Sequence, residues 1–75
     1  MEHVKEEMKV LVRDALNAKA SSIFLNRALA KIEDSGSDRE SLTLASESVG
    51  RLVALFIDED LAANLMQVLA ARLDR

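Results

Sequence analysis

The chain of 75 residues contains no cysteine, proline, tryptophan or tyrosine, and it has only two glycines and one histidine. Without cysteine it has no disulfide bond, no zinc–thiolate site and no thiol nucleophile. Every run between charged residues is far shorter than the roughly 20 apolar residues that span a bilayer. The first residues also lack a basic segment followed by an apolar stretch, so no signal peptide is expected. These absences predict a cytoplasmic domain with no membrane association.

The charged residues do not form a strong basic surface. Thirteen acidic and ten basic residues give a formal net charge of −3. Nucleic-acid-binding domains usually concentrate basic residues on one face, because neutralising phosphates supplies much of their affinity. Only Lys5, Lys9 and Arg13 form a helical row, and acidic residues lie beside it. Nucleic acid is therefore not the expected partner, although a nucleic-acid-associated regulator using this row is kept as an alternative.

The small size of the chain favours association with another subunit. One hydrophobic core in a domain below about 80 residues rarely supplies more than 3–5 kcal/mol, so natural domains of this size often add disulfides, a metal or a partner subunit. Cysteine is absent and histidine occurs once, which leaves subunit association as the available route. We therefore expect a homo-oligomer, most simply a dimer.

Helix-forming residues dominate the sequence, and 49% of all residues are apolar. The apolar residues recur at helical spacing, and no stretch alternates long enough to predict a strand. This spacing predicts helices at about 2–18, 22–34, 38–56 and 59–74, with a single helix over 2–34 as the alternative to the first two. The predicted fold is a single all-α domain over residues 1–75, a small three- or four-helix orthogonal bundle. An up-and-down arrangement of the helices is the alternative.

Turn and cap residues mark the predicted breaks between the helices. Ser21 or Ser22 can accept a hydrogen bond from a free backbone N–H at the start of the second helix. Gly36 is suited to a left-handed residue that ends this helix, and Ser37 followed by Glu40 has the spacing of a capping box. Asp58 is the predicted N-cap of the last helix.

Each predicted helix has one apolar stripe that is expected to face the core. The stripes are Val4, Met8, Leu11, Val12, Ala15 and Leu16; Phe24, Leu25, Ala28, Leu29 and Ile32; Leu42, Ala45, Val49, Leu52, Val53 and Phe56; and Leu61, Ala62, Leu65, Met66, Val68, Leu69 and Leu73. Gly50 lies inside the third helix, where glycine is unfavourable by about 1 kcal/mol relative to alanine. Its lack of a side chain suggests the close approach of another backbone.

No catalytic, cofactor or metal site is predicted from the sequence. No phosphate loop, dinucleotide fingerprint or nucleophile motif occurs, and the serines have no histidine partner apart from His3. His3 with Glu6 and Glu7 offers at most a weak metal site, which would suit an accessory subunit of an enzyme complex. The acidic run 58–60 is explained by the positive end of the helix dipole. We therefore expect a protein that is not an enzyme.

Apolar residues outside the stripes predict a surface for a partner or for a second copy. Leu44 and Leu55 lie off the core stripe of the third helix, on a line with Ser48 and Arg51. Ile57, at the junction to the last helix, and Met66, on the wide apolar arc of that helix, are assigned to the same surface. Exposed apolar patches commonly mark interaction sites. The expected function is a small non-enzymatic protein–protein interaction or regulatory module, self-associating as a homodimer, that binds an as yet unidentified protein.

Overall fold

The computed structural model describes residues 3–74, which fold into four α-helices without any strand in that range. The helices are α1 (Val4–Leu16), α2 (Ser22–Glu33), α3 (Arg39–Phe56) and α4 (Glu59–Leu73). The prediction of an all-α bundle is confirmed, with four helices rather than three. The predicted boundaries agree with the observed ones to within two residues. The predicted start of the first helix, at residue 2, lies outside the described residues.

Each helix packs against two others, so the four helices form a closed ring. α1 contacts α2 and α4, and α3 also contacts α2 and α4. The start of α2 meets the end of α3, where the rings of Phe24 and Phe56 are 6.2 Å apart and meet edge to face. The start of α3 meets the end of α4, where Arg39 forms an ion pair with Asp74. α3 therefore runs antiparallel to both α2 and α4.

Side-chain caps begin three of the helices. The Ser21 hydroxyl accepts a hydrogen bond from the Phe24 N–H at 3.2 Å, which confirms the predicted start of α2. The Asp58 carboxylate accepts one from the Leu61 N–H at 3.1 Å, as predicted for α4. The prediction that Ser37 caps α3 is wrong, because Asp38 is the N-cap.

The Asp38 carboxylate accepts two hydrogen bonds from a single residue of the first turn of α3. Its Oδ1 accepts from the Ser41 hydroxyl at 2.7 Å, and its Oδ2 accepts from the Ser41 N–H at 3.0 Å. These hydrogen bonds lower the pKa of Asp38 below its usual value, the hydroxyl contributing most. A carboxylate near a helix start is also favoured by the helix dipole. Asp38 therefore fits the cap position better than a serine hydroxyl would.

The connection between α2 and α3 does not use a left-handed glycine. Neither described glycine has a positive φ, so the predicted left-handed cap at Gly36 is wrong. Instead, the Ser35 hydroxyl donates to the Ile32 carbonyl at 2.7 Å and satisfies an acceptor in the last turn of α2. The only non-glycine residue with positive φ in the described range is Ala18, at 65°, in the connection from α1 to α2. This conformation confirms the predicted break between the two helices.

The core lies inside the ring, and its buried apolar side chains all belong to the predicted stripes. The buried apolar residues are Val4, Met8, Val12, Leu16, Ala28, Ile32, Leu42, Ala45, Val49, Val53, Ala62, Leu65, Leu69 and Leu73. Ser46 is also buried, and its hydroxyl donates to the Leu42 carbonyl at 2.9 Å, so burial leaves no unpaired donor. The stripe prediction is wrong for Phe56 and Val68, which are 70% and 45% exposed. The predicted stripes therefore include residues beyond the side of each helix that faces the core.

Replacing Asp38 with alanine should destabilise the protein by about 0.5–2 kcal/mol, because it removes the acceptor for both Ser41 donors. Ser37→Ala is the matched control and should leave the stability within about 0.5 kcal/mol of the wild type. Urea denaturation followed by circular dichroism measures both variants. A larger loss for Ser37→Ala than for Asp38→Ala would contradict the observed cap.

Candidate interaction surface

A groove with charged residues on its α2 wall runs along the contact between α2 and α3. Its larger part, about 710 Å³, has Leu44, Ser48 and Leu52 on the α3 wall. A smaller depression of about 250 Å³ continues it at the other end, between Ile23 and Phe56. Leu52 lines both parts, so the two depressions adjoin one another.

Large apolar side chains on this side of the bundle are strongly exposed. Ile23 is 73% exposed, Leu44 58%, Leu55 77% and Phe56 70%. Together with the half-buried Leu52, these residues define what we call the α2–α3 face. Isolated exposed apolar residues are ordinary, whereas a grouped set marks a surface that another molecule can cover.

Leu44 and Leu55 lie where the sequence placed them, on the outward side of α3. Eleven residues separate them, which is about three helical turns, so both side chains project from the same side of the helix. The distance along the helix axis is about 16 Å. The spacing and the exposure together make them two exposed leucines on one side of α3, with Ser48 and Arg51 between them.

Ile57 and Met66, the other two residues predicted for this surface, have different surroundings. Ile57 is half-buried against the core, and its N–H donates to the Val53 carbonyl at 2.9 Å. Met66 packs against Gly50 between α3 and α4; a Cβ atom on Gly50 would lie 2.3 Å from the Met66 Sδ. The structure therefore brings Leu44 and Leu55 to one face but places Met66 in a contact within the chain. The neighbour of Gly50 is this side chain rather than the backbone expected from the sequence.

The opposite side of the bundle has a second groove, between α1 and α4, of about 610 Å³. Val10 and Val68 line it and are 46% and 45% exposed. An ion pair between Glu7 and Arg72 lies at this groove, with the Arg72 Nε donating to the Glu7 Oε2 at 2.6 Å. The large apolar side chains on this side are therefore less exposed than those of the α2–α3 face.

The basic row of α1 is used within the chain. The Lys5 ammonium donates to the carbonyl oxygens of Glu33 and Ser35 at 3.0 and 2.7 Å. A cation at this position satisfies free carbonyls at the end of α2 and complements the helix dipole. The sequence pattern does not show this role of Lys5, because the two carbonyls belong to residues 28 and 30 positions away.

Lys9 reaches the same end of α2. Its ammonium lies 2.8 Å from the Glu33 carboxylate. This hydrogen bond raises the pKa of Lys9 and lowers the pKa of Glu33. Of the three basic residues in the predicted row, only Lys9 forms ion pairs with the described residues, and Lys5 binds backbone carbonyls instead.

The residues considered for a metal site are not gathered into one. Within residues 3–74, no three histidine, cysteine, aspartate or glutamate side chains form a group able to hold a metal ion. Of the residues near His3, Glu7 is paired with Arg72. In the same described range, no helix combines the length and the apolar character needed to cross a bilayer.

Gly50→Ala should destabilise the protein by about 1–3 kcal/mol, because the new methyl group overpacks the space that the Met66 thioether fills. Alanine's better helix propensity, about 1 kcal/mol, only partly offsets this loss. Met66→Ala should also destabilise, by opening a cavity. The double variant should lose less than the sum of the two single losses, by at least about 0.5 kcal/mol, because the methyl then occupies part of the vacated space. Strictly additive losses in urea denaturation would show that the two residues do not share a contact.

The Lys9–Glu33 pair should make part of the stability depend on pH. Because the folded-state pKa of Glu33 is lowered, its contribution is present above the unfolded-state pKa and is lost as the pH falls through the folded-state pKa. Glu33→Gln should therefore be less stable than the wild type at neutral pH, and the difference should disappear in acid. Urea denaturation across the pH range measures this difference. Asp14→Asn, which removes an exposed carboxylate, should show no such loss.

No protein-family model, curated protein or solved structure matches this chain.

Proposed function

We propose that this protein is a non-enzymatic interaction module that self-associates through the α2–α3 face. The observation that supports this proposal is that four large apolar side chains of the α2–α3 face, Ile23, Leu44, Leu55 and Phe56, are each more than half exposed. Covering a large apolar side chain contributes about 1.5–3 kcal/mol. A second copy that covered this face would remove several such side chains from water at once.

The size of the protein is consistent with this role. A stable protein–protein contact usually covers about 800 Å² on each partner, which is about one-sixth of the 4833 Å² surface of this chain. One side of a four-helix bundle can supply that area. The association would also add stability to a core that is small for an independent domain, because binding stabilises the folded state by mass action.

The alternative of a nucleic-acid-associated regulator has less support. It relied on Lys5, Lys9 and Arg13 as a row facing phosphates. Lys5 and Lys9 are instead directed to the end of α2. Using them for phosphate binding would break contacts that hold α1 and α2 together.

The pair of substitutions Leu44→Gln and Leu55→Gln should convert a dimeric wild type into a folded monomer. Glutamine has a helix propensity close to that of leucine, so the helix itself should be little affected. The matched control is Val10→Gln with Val68→Gln on the opposite side, which should remain dimeric. Light scattering and sedimentation equilibrium at micromolar concentration measure the mass, and circular dichroism checks the fold.

Two results would contradict the proposal. A wild type that stays monomeric at high concentration would remove self-association as the function. A dimer that persists in the Leu44→Gln, Leu55→Gln variant and dissociates in the control would move the interface to the α1–α4 side.

A further inference from the structure

The outward side of α3 has the residue spacing of a helix-pairing seam. Leu44, Ser48, Arg51 and Leu55 follow one another at intervals of four, three and four residues. Side chains at this spacing form a nearly straight row along a helix and pack well against a similar row on another helix. The row has an exposed leucine at each end, an exposed Arg51 and a half-buried Ser48 between them.

The row from Leu44 to Leu55 on one copy is complementary to the same row on a second copy that runs in the opposite direction. In an antiparallel pair with Leu44 opposite Leu55, Ser48 lies opposite Arg51, and the same matches repeat on the other half. This is the symmetry of a two-fold interface, in which the same patch is used by both subunits. The small Ser48 leaves room for the long Arg51 side chain of the partner subunit.

The charges beside the row select this direction. Arg51 is exposed and is in none of the ion pairs formed within residues 3–74. Glu47 precedes Ser48, so in the antiparallel pair its carboxylate lies within reach of the partner's Arg51. Two-fold symmetry gives two such pairs. A parallel pair in register would instead place Arg51 against its own copy, and like charges at close range are repulsive.

We infer that two copies of this chain pair through antiparallel α3 helices, with Leu44 against Leu55 and Glu47 in an ion pair with the partner's Arg51. This inference rests on the proposed self-association and adds its direction and register. The leucines supply the apolar contact, and the two ion pairs fix which residues face each other.

Charge reversal tests the ion pair. Arg51→Glu and Glu47→Arg should each raise the dissociation constant of the dimer about tenfold or more. Each substitution places two like charges opposite one another in both symmetry-related pairs of the dimer. The combined variant, which exchanges the two charges, should recover a dissociation constant within about threefold of the wild type. Arg13→Glu is the matched control: it makes the same change in net charge on α1 and should leave dimerisation unchanged. Sedimentation equilibrium gives the dissociation constants.

Cysteine cross-linking tests the direction, and the absence of native cysteine makes single-cysteine variants unambiguous. An oxidised mixture of Leu44→Cys and Leu55→Cys chains should give the mixed disulfide. Disulfides of two Leu44→Cys chains would instead show a parallel pair and overturn the inference.

The two proposals fail in different ways. A monomeric wild type would overturn both the proposed function and this inference. A dimer that is unchanged by Arg51→Glu, or not restored by the combined charge exchange, would overturn the inference alone.

Discussion

Burial of one small apolar core holds the four helices together, and no disulfide reinforces it. Isolated helices shorter than about 12–15 residues are marginal in water, so α1 and α2 in particular depend on packing. α2 contributes only Ala28 and Ile32 to the fully buried set. The contacts from Lys5 and Lys9 to the end of α2 therefore add a polar attachment to the helix that the core holds least.

The shallow burial of α2 also explains why the exposed apolar residues gather beside it. Only a narrow side of α2 faces the core, so Ile23 at the start of the helix remains exposed. Phe56, at the end of α3, packs against Phe24 rather than in the interior. The same physical limit, a core too small to enclose every apolar residue, thus produces the α2–α3 face. A protein that cannot bury these residues within one chain can bury them between two chains.

Different sides of α3 contact the core, contact α4 and face outward. The residues that fold the bundle are therefore separate from those of the proposed association. The core side of α3 contains Leu42, Val49 and Val53, and the side toward α4 receives Met66 at Gly50. Leu44 and Leu55, on the outward side, are both more than half exposed and lie outside the buried core. Substitutions of these two leucines can therefore change association while the bundle stays folded.

The sequence by itself determined the helices and the core, because helical periodicity and side-chain caps such as Ser21 and Asp58 act over a few residues. It also indicated the outward position of Leu44 and Leu55. The tertiary structure alone decided that Phe56 and Val68 are exposed, that Met66 fills the space at Gly50, and that Lys5 reaches the end of α2. The width of each buried arc and contacts between distant residues depend on how neighbouring helices pack. A single helix's pattern does not contain that information.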